Sequence, residues 1–115
     1  MEKDQILLEN VREYLQEANE ALEKKHYNSA VTLYFKAVAV LTDWYILKKK
    51  GIIPSNHSER FQILRENYPE VYEILDKDFP IYQNSYKLKL DSNYTMVLKN
   101  DLKRLNQICQ TNLNI

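Results

Sequence analysis

Few residues in this 115-residue chain are of a type that does chemistry: two histidines, His26 and His57, and one cysteine, Cys109. His57 lies in Gly51-Ile52-Ile53-Pro54-Ser55-Asn56-His57-Ser58, a connector leading into a helical stretch. Imidazole titrates near neutral pH, so His57 is a candidate general base. No partner stands beside it in the sequence, and the plainer reading is a helix-start residue that hydrogen-bonds the preceding loop. His26 follows Lys24 and Lys25 and reads as a cation at a helix C-terminus. The other candidate stretch is Tyr86-Lys87-Leu88-Lys89-Leu90-Asp91-Ser92-Asn93-Tyr94. Tyr86 and Tyr94 flank Lys87 and Lys89, a mixture of aromatic and cation that suits a nucleotide or RNA by stacking and ion pairing. Cys109 falls at an inner helical position and reads as a small buried hydrophobe.

Several chemistries are excluded outright. A single glycine, Gly51, cannot supply a phosphate-cradling loop or a dinucleotide-binding turn. A lone cysteine forms no internal disulfide and no thiolate zinc cluster, and neither histidine has a second ligand at metal spacing. No cofactor and no metal are therefore expected. The 16 basic and 16 acidic residues cancel, which removes any general field for nucleic acid. The cancellation is segmental: Met1 to Lys25 carries −3, His26 to Pro54 +3, Ser55 to Pro80 −3 and Ile81 to Ile115 +3. Such segments either pair neighbouring helices or leave a basic edge where Lys48 to Lys50 meet Lys87 and Lys89. No apolar run of membrane-span length and no leader are read from the sequence, so a cytoplasmic location is expected.

Positioning these residues falls to helices, because glycine and proline punctuate the chain rarely and the intervals have helical periodicity. The first helix is expected from about Lys3 to Lys25 on the stripe Ile6, Leu7, Val11, Tyr14, Leu15, Ala18, Ala21 and Leu22. A second, capped near Asn28 or Ser29, runs to Lys50, where Gly51 ends it. Its near lack of charge, only Lys36 and Asp43 between Ser29 and Leu47, predicts burial on more than one face. A short third helix starts near Ser55 to Ser58 and stops before Pro69. The fourth starts at Pro69 and is kinked or broken at Pro80, with a continuation through Ile81, Tyr82, Ser85 and Leu88. The last helix spans about Tyr94 to Thr111. The fold class is all-α, a single-domain antiparallel up-and-down bundle of four to five helices.

This order resembles the HEPN domain family. The likeness rests on the acidic first helix, then Ser29-Ala30, Tyr34, Ala37 and Leu41, then Gly51-x-x-Pro54-x-x-His57, then the turn from Lys87 to Tyr94. It implies a helical bundle that dimerises and often works beside a minimal nucleotidyltransferase, as in toxin–antitoxin pairs of prokaryotes. Active members of the family are metal-independent ribonucleases with an Arg-x4-His signature. Here none of Arg12, Arg60, Arg65 or Arg104 precedes a histidine at that spacing, and Lys89-x4-Tyr94 stands at the corresponding turn. Lysine lacks the guanidinium fork, and a phenol is a poor proton shuttle at neutral pH. The expectation is a non-catalytic module that binds a partner protein, with a nucleotide or RNA at the edge formed by Tyr86, Lys87, Lys89, Tyr94 and His57. The alternatives are a divergent ribonuclease using that edge and a tetratricopeptide-like hairpin built on Ala21, Tyr27, Ala30, Tyr34 and Ala37. An apolar second helix that one small bundle leaves partly uncovered predicts a homodimer.

Overall fold

The computed structural model describes all 115 residues. Five helices follow one another: α1 Lys3–Glu23, α2 Tyr27–Lys50, α3 His57–Asn67, α4 Pro69–Asn84 and α5 Ser92–Cys109, with no strand. The chain is an all-α bundle. Only Lys24, Lys25 and His26 separate α1 from α2, and Lys25 turns the corner at φ 61°. The two long helices therefore run antiparallel, and Lys48 near the end of α2 donates to Asp4 at the start of α1 at 2.8 Å. Gly51 closes α2 at φ 75°, where a side chain would be strained. Asn56 caps α3 by accepting from Glu59 N, and Asp91 caps α5 by accepting from Asn93 N and Tyr94 N.

One apolar cluster of 23 buried residues draws on all five helices. α2 runs through it, buried at Ala30, Val31, Tyr34, Phe35, Ala37, Val38, Leu41 and Ile46 and packed on α1, α4 and α5. That is the multiple burial its low charge predicted. It also corrects one expectation, because α2 is long and apolar enough by composition to cross a membrane. Most of that apolar stretch, 61%, is buried in the bundle, so core packing accounts for its composition. The apolar face on which homodimerisation was argued is thus covered largely by the chain's own helices.

Two helix boundaries differ from expectation for physical reasons. α4 continues past Pro80 through Ile81 and Tyr82, as expected, but ends at Asn84, short of Ser85 and Leu88. Pro80 is exposed, and the Asp76 carbonyl it leaves without a helical donor belongs to an exposed residue that water can reach. Leu88 lies beyond the helix and is 55% exposed. Asn28 does not cap α2, whose N-cap is His26 without a side-chain bond. The Asn28 carboxamide reaches three partners in the α4–α5 loop, where capping would have given it one. It donates to Ser85 O at 2.9 Å and Leu88 O at 2.6 Å and accepts from Leu90 N at 2.9 Å.

Candidate functional site

Ion pairs join neighbouring helices, two with the segmental charge and two against it, since Arg60 and Lys77 belong to an acidic segment and Asp43 and Asp101 to basic ones. Each ion pair joins two helices: Lys48 with Asp4, Arg60 with Asp43, Lys77 with Asp101, and Arg104 with Glu70 at 3.5 Å. The combined basic edge does not form. The Lys87/Lys89 loop is bound to Asn28 at the beginning of α2, whereas Lys48 to Lys50 end it. Twenty residues of helix, about 30 Å, separate Asn28 from Lys48. Lys48 is also engaged by Asp4, and Lys49 lies over the Tyr45 ring at 5.5 Å.

His57 has the partners the sequence did not reveal. It is the first residue of α3, so Arg60 lies one turn further on the same face. Arg60 Nε and Nη2 donate to Asp43 Oδ1 and Oδ2 at 2.7 and 2.8 Å, a bidentate pair with both side chains 10% exposed. The remaining terminal nitrogen, Nη1, is 2.7 Å from His57 Nδ1. A guanidinium can only donate, so Nδ1 accepts and the neutral ring carries its hydrogen on Nε2. Burial first, and then the charge of Arg60, lower the His57 pKa; Asp43 partly opposes them, and Lys36 adds a smaller lowering. His57 is thus a neutral ring held by a spent arginine.

Beside it is a shallow depression of about 160 Å3 whose lining includes Tyr14, Phe35, Lys36, His57 and Tyr82. Lys36 projects over the Tyr14 ring at 5.9 Å. Aromatic contacts run outward from the histidine: His57 to Phe79 at 5.1 Å, Phe35 to Tyr82 stacked at 4.6 Å, Tyr82 to Tyr86 edge-on at 5.7 Å. The Tyr82 and Tyr86 hydroxyls are 2.9 Å apart, and that bond, with burial, raises the Tyr82 pKa further from neutrality.

Of the five candidate residues, the fold therefore links His57 and Tyr86 through this aromatic chain. Lys87, Lys89 and Tyr94 stand apart from it, exposed on the α4–α5 loop and the first turn of α5. They have apolar company there. Tyr86 is 74% exposed, Leu88 55%, Tyr94 48% and Met96 37%, which puts half of the large exposed hydrophobics within eleven residues. The loop is held in place by the three Asn28 bonds and by Ser85, whose Oγ lies 3.1 Å from Thr32 Oγ1. Cys109 is buried as expected, and burial pushes its thiol up to about 12, far from a reactive thiolate.

Sequence reading missed Asn28, Lys36 and the Asp43–Arg60 pair. Asp43 did leave a signal, as one of two charges in an otherwise apolar helix, since a charge in such a stretch must be paired or neutral. No family model, curated protein or solved structure matches the chain.

Proposed function

We propose that this protein is a non-catalytic HEPN-like module that works by docking a partner protein on the edge from Tyr86 to Met96. The observation that carries the proposal is the run of exposed large hydrophobics from Tyr86 to Met96, interleaved with Lys87 and Lys89 and starting in a loop fixed to α2 by Asn28. The loop held by three hydrogen bonds presents Tyr86 and Leu88, and the start of α5 presents Tyr94 and Met96, with little ordering cost on binding, and Lys87 and Lys89 favour an acidic counterpart. A minimal nucleotidyltransferase is the partner that the family resemblance suggests, and a second copy of the chain is the competing occupant. The depression at His57 and Lys36 is where a nucleotide or RNA phosphate fits this reading, with the exposed Tyr86 ring as a stacking platform. A cytoplasmic setting belongs to the same proposal.

Arg60 is the reason catalysis is left out of this proposal. A ribonuclease of this chemistry needs an arginine free to meet phosphate and a histidine free to move protons. Arg60 gives its fork to Asp43 and its last nitrogen to His57. Sedimentation of the chain mixed with a minimal nucleotidyltransferase tests the docking edge. The proposal expects a complex that Leu88→Asp combined with Met96→Asp abolishes while the helical spectrum is unchanged. A complex indifferent to that double variant, or no complex at all, overturns it.

A further inference from the structure

A second depression lies away from His57, along a flank of α1. It is a trough of about 410 Å3 between α1 and the C-terminal segment, within the size range of ligand sites. Arg12, Gln16, Asn19, Glu20 and Glu23 recur at intervals of three and four and so form one stripe along the helix. Buried Leu15 is its floor, and Asn19 is fixed there by the Tyr34 hydroxyl, which donates to it. Asn112 and Asn114 form the facing wall. That wall is anchored by Leu113, which is buried between them and whose carbonyl accepts from Asn106 Nδ2 at 3.3 Å.

Two properties of the trough point to its occupant. The first is polarity: Arg12 stands at one end, Glu20 and Glu23 at the other, and none of the three has an ion-pair partner within the chain. The second is the lining between those ends, where Gln16, Asn19, Asn112 and Asn114 each offer a carboxamide with both donor and acceptor. That is the complement of extended backbone, which presents N–H and C=O in alternation. Eight to eleven helical residues separate the charged ends, about 12 to 17 Å, a distance that four or five extended residues cover at about 3.3 Å each.

We propose that this trough binds an extended peptide segment bearing an acidic group at the Arg12 end and a lysine or arginine at the Glu20/Glu23 end. The site is separate from the docking edge and does not depend on it. Four blocked pentapeptides test it against the isotope-labelled chain: aspartate at one end and lysine at the other, lysine at both ends, aspartate at both ends, and glutamine at both ends. Side-chain amide resonances of Gln16, Asn19, Asn112 and Asn114 report binding. The dipolar probe should bind tightest and shift those four amides together. Arg12→Glu, at an exposed position, should weaken it about fivefold and make the lysine-ended probe the preferred one. The inference is overturned if the glutamine-ended probe binds equally well, if those amides stay unmoved at millimolar peptide, or if Arg12→Glu leaves the order unchanged.

Discussion

Two carboxylate sites are buried in this bundle, and they are solved in opposite ways. Asp43 on α2 faces Arg60 on α3, a fixed fork that matches its two oxygens, and the pair is charged and satisfied. Asp78 on α4 faces Asp101 on α5, a second acid. Asp78 is fully buried, and with both groups ionised its two oxygens find no donor. Lys77 reaches Asp101 from the solvent side at 2.9 Å but is itself half exposed. Burial first, then the bond to Asp101 and its charge, raise the Asp78 pKa to about 9. A proton on Asp78 turns it into a donor toward Asp101, so the second site is held together by neutralisation where the first is held by pairing. The contrast bears on function: the arginine that could have met a phosphate is used to keep a buried aspartate charged.

Three substitutions separate these solutions, in descending order of effect. Asp43→Ala leaves Arg60 buried without its counter-charge and should cost about 3 to 5 kcal/mol, read by urea denaturation. It also releases His57 from a fixed guanidinium, so the imidazole resonances should broaden or shift with it. An intact stability would mean that Arg60 escapes to water.

Asp78→Asn should act in the reverse sense. In the folded chain Asp78 keeps its proton up to about pH 9, whereas in the unfolded chain it loses it near 3.8. The native state binds the extra proton across that window, so stability falls as pH rises through it, by up to about 1.4 kcal/mol per unit. Asparagine supplies the donor without a proton and should flatten this slope, leaving the variant more stable than the parent at pH 8. Parallel slopes for the two proteins would contradict the neutralised pair.

Lys77→Ala should have the smallest effect. Its ammonium is half exposed, so its removal should change stability by no more than about 0.5 to 1 kcal/mol. A loss as large as that of Asp43→Ala would show that Asp101, and with it the acid pair, depends on Lys77 in the way Asp43 depends on Arg60.

The all-α architecture was legible because it depends on local signals. Periodic stripes, Gly51 after three lysines, Pro69 at a helix start and Asp91 before the last helix each act within a few residues. The crowding of α2 also carried over correctly, since low charge in a long helix has few meanings in a bundle. What was not legible depends on side chains far apart in sequence. Asn28 read as a cap because the loop it clasps lies 57 to 62 residues away. His57 reads as partnerless because its partner Arg60, one turn on, is set in place by Asp43, 17 residues before that arginine. Whether Pro80 kinks or breaks α4 is left open by the sequence because a proline's effect on a helix depends on whether the carbonyl it strands can reach water, and that is a tertiary property. The acid pair gave no sequence signal beyond two aspartates at inner positions.

A module that binds without cutting is distinguished from a nuclease by incubating the chain with end-labelled single-stranded RNA and following retention and strand length in the same samples. Retained, full-length RNA is expected, with retention lost in Lys36→Ala. Cleavage that persists through repeated purification and disappears in His57→Ala would contradict that expectation.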